Sequence, residues 1–110
     1  MTSDLTITTS HGPAGPVLTV TGDLDYVTAP QLRAAATALV LESGQLLTFD
    51  LSDLSFCDSS GINALLAIRH HTHAQAAQLA LANVPMAVTR VLGMLGLTEI
   101  FHTTPKPDAG

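Results

Sequence analysis

The stretch that decides how this chain is built is "QLLTFDLSDLSFCDSSGINALL", Gln45 to Leu66. Its first part, "QLLTFDL", is a short, nearly continuous apolar run, the pattern of a strand covered on both faces. Such a strand belongs in the middle of a sheet. From Ile62 to about His73 the apolar residues recur at helical spacing instead. Asp58, Ser59, Ser60 and Gly61 stand at the seam between the two, at the end of a connecting loop running from Asp50 to Gly61. Asp58 and both serines are good capping residues, since short polar side chains accept hydrogen bonds from the unpaired N–H groups of a first helical turn.

Upstream of the seam, Leu5 to Thr9 and Val17 to Thr21 alternate apolar and polar residues around "HGPAGP", which predicts a β-hairpin. "GDLDYVTAP" then leads into a helix, with Thr28 placed to cap it and Pro30 tolerated in its first turn. Leu32, Ala35, Ala36, Leu39 and Val40 supply the apolar stripe, and Gly44 is the expected stop. Downstream, "QLALANV" predicts a strand and "PMAVTRVLGML" a helix from Pro85 to Gly96. "EIFHTT" predicts a last short strand. The order β-β-α-β-α-β-α-β implies an α/β domain, a mixed sheet with packed helices and right-handed crossovers. One domain over residues 1–104 is expected, with 105–110, "PKPDAG", as a disordered tail.

Composition narrows the function. At 110 residues the chain is long enough to bury roughly two-thirds of its unfolded surface. It is 46% hydrophobic and 12% charged, which fits a globular domain and not a disordered segment. Four Lys plus Arg against nine Asp plus Glu, a net charge of -5, leave no basic stripe for a nucleic acid. Cys57 is the only cysteine, so it is expected as a plain buried thiol in a reducing compartment. The "MTSDLTITTSHG" start has no basic or apolar leader, and no run approaches the roughly 18 residues that span a bilayer. The expectation is a cytoplasmic protein without membrane contact.

The seam can be chemically active. Ligands of such sheets bind beyond the carboxyl ends of strands, and a helix N-terminus tolerates an anion or an added phosphate. On a helical wheel Ile62, Leu65, Leu66 and Ile68 form the arc toward the sheet. Asn63, Ala64, Ala67, His70 and His71 form the other, close to the serines, and this small, weakly polar arc suits close approach by a partner.

These residues resemble the STAS domain family, and within it the small stand-alone bacterial anti-sigma factor antagonists. The resemblance runs from Leu5 to about Phe101 and rests on "TGDLDYVTAP", "FDLSDLSFCDSSG" and "RVLGMLGLTEIF", of which the second is the most specific. It implies a non-enzymatic switch without cofactor or metal. Its partner is an anti-sigma factor that is also a serine kinase of the histidine-kinase-like ATPase superfamily, and binding it releases a sigma factor. Phosphorylation turns binding off and a phosphoserine phosphatase restores it. The resemblance places the acceptor at Ser59, with Ser60 and Gly61 completing the motif, Asp58 as its aspartate, and Asp25 beside Asp23 as nearby acids. The partner face is then Asn63, Ala67 and His70. Against relatives, position 63 is Asn where a second Gly is frequent, "IRHHTHAQ" replaces a stretch with Lys, and a further C-terminal helix is absent.

Three other readings are open to the sequence. Cys57-Asp-Ser59-Ser-Gly61 is one residue from the G-x-S-x-G nucleophile elbow, and Glu99 and His102 follow in the order a hydrolase needs. Position 57 lacks the small Gly of that elbow, and such hydrolase domains are much larger. His70 and His73 sit at i, i+3, but two histidines do not make a zinc site; they read as solvated residues near a helix C-terminus. A STAS scaffold or sensor module is the last alternative, the Met1 start and lack of a membrane segment arguing against a transporter fragment.

Overall fold

The computed structural model describes residues 4–106, a body with a radius of gyration of 13.0 Å. The hairpin forms from β1 (Leu5–Gly12) and β2 (Gly15–Leu24), paired antiparallel from Leu5 opposite Gly22 to Gly12 opposite Gly15. Helix α1 (Ala29–Thr37) follows, then β3 (Leu46–Asp50), β4 (Leu54–Cys57), α2 (Ser59–Ala74), β5 (Gln78–Val84), α3 (Met86–Met94) and β6 (His102–Pro105). The sheet runs β1-β2-β3-β5-β6, with β2, β3, β5 and β6 parallel. Among the described residues the strand β4 pairs with β2 alone, also parallel.

β4 lies within the stretch from Asp50 to Gly61 that the sequence pattern predicts as a loop. β3 and β4 run along the same strand in succession, β3 opposite Val17–Thr19 and β4 opposite Gly22–Leu24. Between them the chain jogs because the Asp50 carboxylate accepts the Ser52 N–H at 3.1 Å and the Leu51 carbonyl accepts the Leu54 N–H at 3.1 Å. Asp and Ser compete for backbone bonds in this way, so a single interrupted run looked like a strand and a loop.

The central position of β3 is as expected, but its cover is one-sided. Leu47 and Phe49 are fully buried while Leu46, Thr48 and Asp50 are half-buried, so the second face is partly open. Helix α1 is also shorter than predicted. It ends at Thr37, whose hydroxyl bonds back to the Arg33 carbonyl at 2.7 Å, and Gln75 Oε1 takes the Leu41 N–H at 2.9 Å. Leu41 thereby reaches the core from a non-helical segment and Val40 is left 90% exposed, so Gly44 lies in the following turn and stops no helix. Pro105 pairs with Val84 and Lys106 donates its N–H to the Val84 carbonyl at 3.1 Å, which extends β6 into the stretch expected as a tail. Residues 107–110 lie outside the described residues.

The core is built from Leu18, Val20 and Leu24 of β2, Leu32 of α1, Ile62, Leu65 and Ile68 of α2, and Leu81 of β5, with Leu92 of α3. Helices α1 and α2 pack on each other. Ala64, placed by the wheel on the open arc, is buried at 1% exposure. Its small side chain belongs to the packed interior, while Asn63 and Ala67 on either side of it are exposed. Among the described residues no helix is long and apolar enough to cross a membrane.

Candidate functional site: the edge where β2 and β4 end

Because β2 and β4 are parallel, their carboxyl ends fall together. Asp23 is opposite Phe56 and Leu24 opposite Cys57, and the Leu24 carbonyl accepts the Asp58 N–H at 3.2 Å. The turn before α1 and the first turn of α2 are thus neighbours through sheet pairing. Asp23, Asp25, Asp58, Ser59, Ser60 and Gly61 come to one edge of the molecule for this reason.

At that edge the motif residues have different tasks. Asp58 is extended (φ -104°, ψ -171°) and its Oδ1 accepts the N–H groups of Ser60 at 2.8 Å and Gly61 at 3.2 Å, while its carbonyl accepts from Ile62 at 3.1 Å. One residue therefore satisfies three donors of the first turn. Gly61 is buried because the turn presses on β2: a methyl there would lie 2.8 Å from Cys57 Sγ, 2.8 Å from Leu24 Cγ and 2.9 Å from the Leu24 carbonyl oxygen. Ser60 is half-buried. Ser59 is exposed, and capping does not use its hydroxyl.

The expected cap of α1 is reversed in direction. Thr28 occupies the cap position, but its hydroxyl points back, donating to the Asp23 carbonyl at 2.7 Å and accepting the Asp25 N–H at 3.0 Å. In return Asp25 Oδ1 accepts the N–H groups of Val27 at 2.9 Å and Thr28 at 3.1 Å. This reciprocal pairing has the logic of a capping box with Thr in the fourth position. The D-x-x-T spacing was the signal for it. Its result is a fixed turn whose tip carries Tyr26 and Val27, 80% and 64% exposed.

Along α2, Asn63, Ala67 and His70 are all exposed, with His70 about 16 Å beyond Ser59 at the helical rise. His71 differs from its neighbours, being half-buried with Nε2 2.9 Å from the Gln75 amide nitrogen. A groove of about 260 Å³ opens between α1 and α2, lined by Tyr26, Ala29, Pro30, Arg33, Ser60 and Asn63. Tyr26 and Arg33 were not singled out from the sequence, since only the packing of the two helices brings them beside Ser60.

Cys57 is half-buried, not fully buried as expected. Burial, reinforced by the Asp58 charge, pushes its thiol up to about 12, so at neutral pH it is a protonated, poorly nucleophilic group. The elbow reading finds no support in the layout. His102 opens β6 opposite Ala80, beyond β3 and β5 from the β2–β4 edge and toward the opposite ends of the strands. Glu99 is exposed just before it. Among the described residues no three His, Cys, Asp or Glu side chains converge as a metal site.

The sequence matches the STAS domain over residues 5–109. The chain belongs to the STAS domain family. This STAS domain is 29% identical over 91 residues to an anti-sigma-B factor antagonist of Bacillus subtilis, spanning 83% of each chain. It superposes on the crystal structure of an anti-sigma factor antagonist from Mycobacterium paratuberculosis with a TM-score of 0.81 at 28% identity, over 93% of this chain and 86% of that one. It shares its fold with the anti-sigma factor antagonist SpoIIAA. The TM-score is 0.74 at 22% identity for the unphosphorylated form, over 92% of this chain and 90% of that one. For the phosphorylated form it is 0.68 at 21% identity, over 92% and 93%.

Proposed function

We propose that this STAS domain is a cytoplasmic anti-sigma factor antagonist acting by binding and not by catalysis. It docks on an anti-sigma serine kinase of the histidine-kinase-like ATPase superfamily, releasing a sigma factor, and phosphorylation of Ser59 ends the complex until a phosphoserine phosphatase reverses it. The docking surface is the Ser59 loop, with Asp23, Asp25, Asp58 and Ser60 around the acceptor and the buried Gly61 holding the turn against β2, together with the Asn63, Ala67 and His70 face of α2. The relatives named anti-sigma factor antagonists support the role.

The observation that carries the switch is the division of work in the first turn of α2. Asp58 makes the cap, leaving the exposed Ser59 hydroxyl outside the bonds that hold the helix. A phosphate adds about -1.5 to -2 charge. At a helix N-terminus the dipole tolerates that charge, so the fold persists. A docked surface does not, because the charge joins those of Asp23, Asp25 and Asp58 on the contact face.

The test is incubation of wild type and Ser59→Ala with ATP and the cognate kinase, followed by intact mass. Wild type is expected to gain one phosphate and Ser59→Ala none; equal uptake sinks the assignment. Ser59→Asp is expected to keep its circular dichroism and lose kinase binding.

A further inference from the structure

The groove between α1 and α2 has a chemistry that the acidic switch loop lacks. Arg33 is one of only four Lys plus Arg residues. Arg69 donates from Nε to the Ile100 carbonyl at 3.2 Å and Lys106 from Nζ to the Ser52 carbonyl at 2.9 Å, so both are engaged. The Arg33 guanidinium is exposed and makes no hydrogen bond or ion pair among the described residues. It borders the groove together with Tyr26, which the Asp25–Thr28 pairing holds out into solvent. Ala29 and Pro30 give that groove a small-residue wall on α1. Ser60 and Asn63 are its wall on the other side, and both belong to the proposed docking surface.

We propose that this groove is a second contact subsite for the same partner, taking an acidic side chain of the kinase between Arg33 and the Tyr26 ring. The inference rests on the antagonist reading and adds to it residues on α1. Charge complementarity names the occupant: a guanidinium unpaired among the described residues, in a protein of net charge -5, calls for a carboxylate, which it holds in bidentate fashion. The volume of about 260 Å³ suits a side chain and not a whole helix. Tyr and Arg are also the residues that concentrate binding energy at interfaces, because each offers a large rigid contact with little entropy to lose.

The subsite gives the interface two electrostatic halves. Acids at the Ser59 loop face basic groups of the kinase, and Arg33 faces an acidic one, which fixes orientation as well as affinity.

The experiment titrates the histidine-kinase-like anti-sigma kinases of the source genome, each purified with nucleotide, against wild type, Arg33→Glu, Arg33→Lys and Tyr26→Ala at low and high salt. Both side chains are exposed, so all variants are expected to match wild type by circular dichroism. Arg33→Glu is expected to weaken binding about tenfold or more at low salt and to change its salt dependence. Arg33→Lys is expected to recover part of the loss, and Tyr26→Ala to weaken binding about tenfold at either salt. Wild type that binds no kinase overturns the antagonist reading and the subsite with it. Wild type that binds while Arg33→Glu binds equally well, with the same salt dependence, overturns the subsite alone.

Discussion

Replacing Gly61 by Ala sets two opposed effects against each other. In a helix Ala is favoured over Gly by about 1 kcal/mol, so on propensity alone the change stabilises. The added methyl, however, arrives 2.8 Å from Cys57 Sγ and Leu24 Cγ and 2.9 Å from the Leu24 carbonyl oxygen. Ordinary carbon contacts lie at about 3.5–4.0 Å, so the first turn of α2 has to retreat by several tenths of an ångström. The carbonyl cannot simply swing away, because it accepts the Asp58 N–H at 3.2 Å. Overpacking of this kind costs about 1–3 kcal/mol, leaving a net loss of about 0–2 kcal/mol after the propensity gain. Gly93 is the internal control: it sits in α3 with Thr98 Oγ1, 3.9 Å away, as the nearest neighbour of an added methyl. Gly93→Ala should therefore gain about 0.4–1 kcal/mol. The gap between the two variants isolates the clash at about 1–3 kcal/mol, or roughly 4–12 °C in Tm for a domain of this size. Thermal unfolding followed by circular dichroism measures it. If Gly61→Ala melts as high as Gly93→Ala, the close approach of α2 to β2 is soft and the reasoning fails.

Asp58→Ala removes the acceptor of two first-turn N–H groups and should cost about 0.5–2 kcal/mol, whereas Asp58→Asn, which keeps the oxygen, should cost much less; equal losses in urea unfolding would refute the cap. For Asp50, burial raises the carboxyl pKa, but hydrogen bonds from the Ser52 N–H, the Asn83 amide and the Ser52 hydroxyl outweigh it, so the pKa is lowered overall. A depressed folded value means stability that is present above the ordinary Asp range near pH 4 and lost as the pH falls below it. Asp50→Asn should accordingly flatten the acid limb of a stability–pH curve, and an unchanged limb would count against it. Cys57, its thiol pushed up to about 12, should resist iodoacetamide in the folded protein at mildly alkaline pH and react after unfolding. Stoichiometric labelling of the native state would contradict this.

The hairpin and the three helices could be read from the sequence because each is marked by a period that packing respects, and the central strand because its run is almost wholly apolar. Ile62, Leu65 and Ile68 recur along α2, so their burial follows from the pattern, whereas the one-sided burial of Leu47 and Phe49 does not follow from a continuous run. What escaped was decided by side chains acting on distant or local backbone. Gln75 captures the Leu41 N–H from 34 residues away, which no window around α1 can anticipate. Asp50 and Ser52 break one extended run into β3 and β4, so turn chemistry hid a strand. At the candidate site, Asp58, Ser59 and Gly61 were legible as a strand-to-helix seam. Tyr26 and Arg33 were not, since their place beside Ser60 depends on how α1 lies on α2.

The same contrast separates the residues that build the site from those free to act in it. Asp58, Gly61, Asp25 and Thr28 are committed: each is held by backbone bonds or by a contact with no spare room. Ser59, Asn63, Tyr26 and Arg33 are exposed on the frame that these four define. Substitutions in the first group should therefore lower stability, whatever they also do to binding. Substitutions in the second should leave the melting curve in place and change only recognition. A surface-exposed serine beside a self-sufficient cap can take a bulky dianion without the helix having to re-form its first turn. That independence of the Ser59 hydroxyl from the fold is what the proposed reversible covalent switch requires at this position.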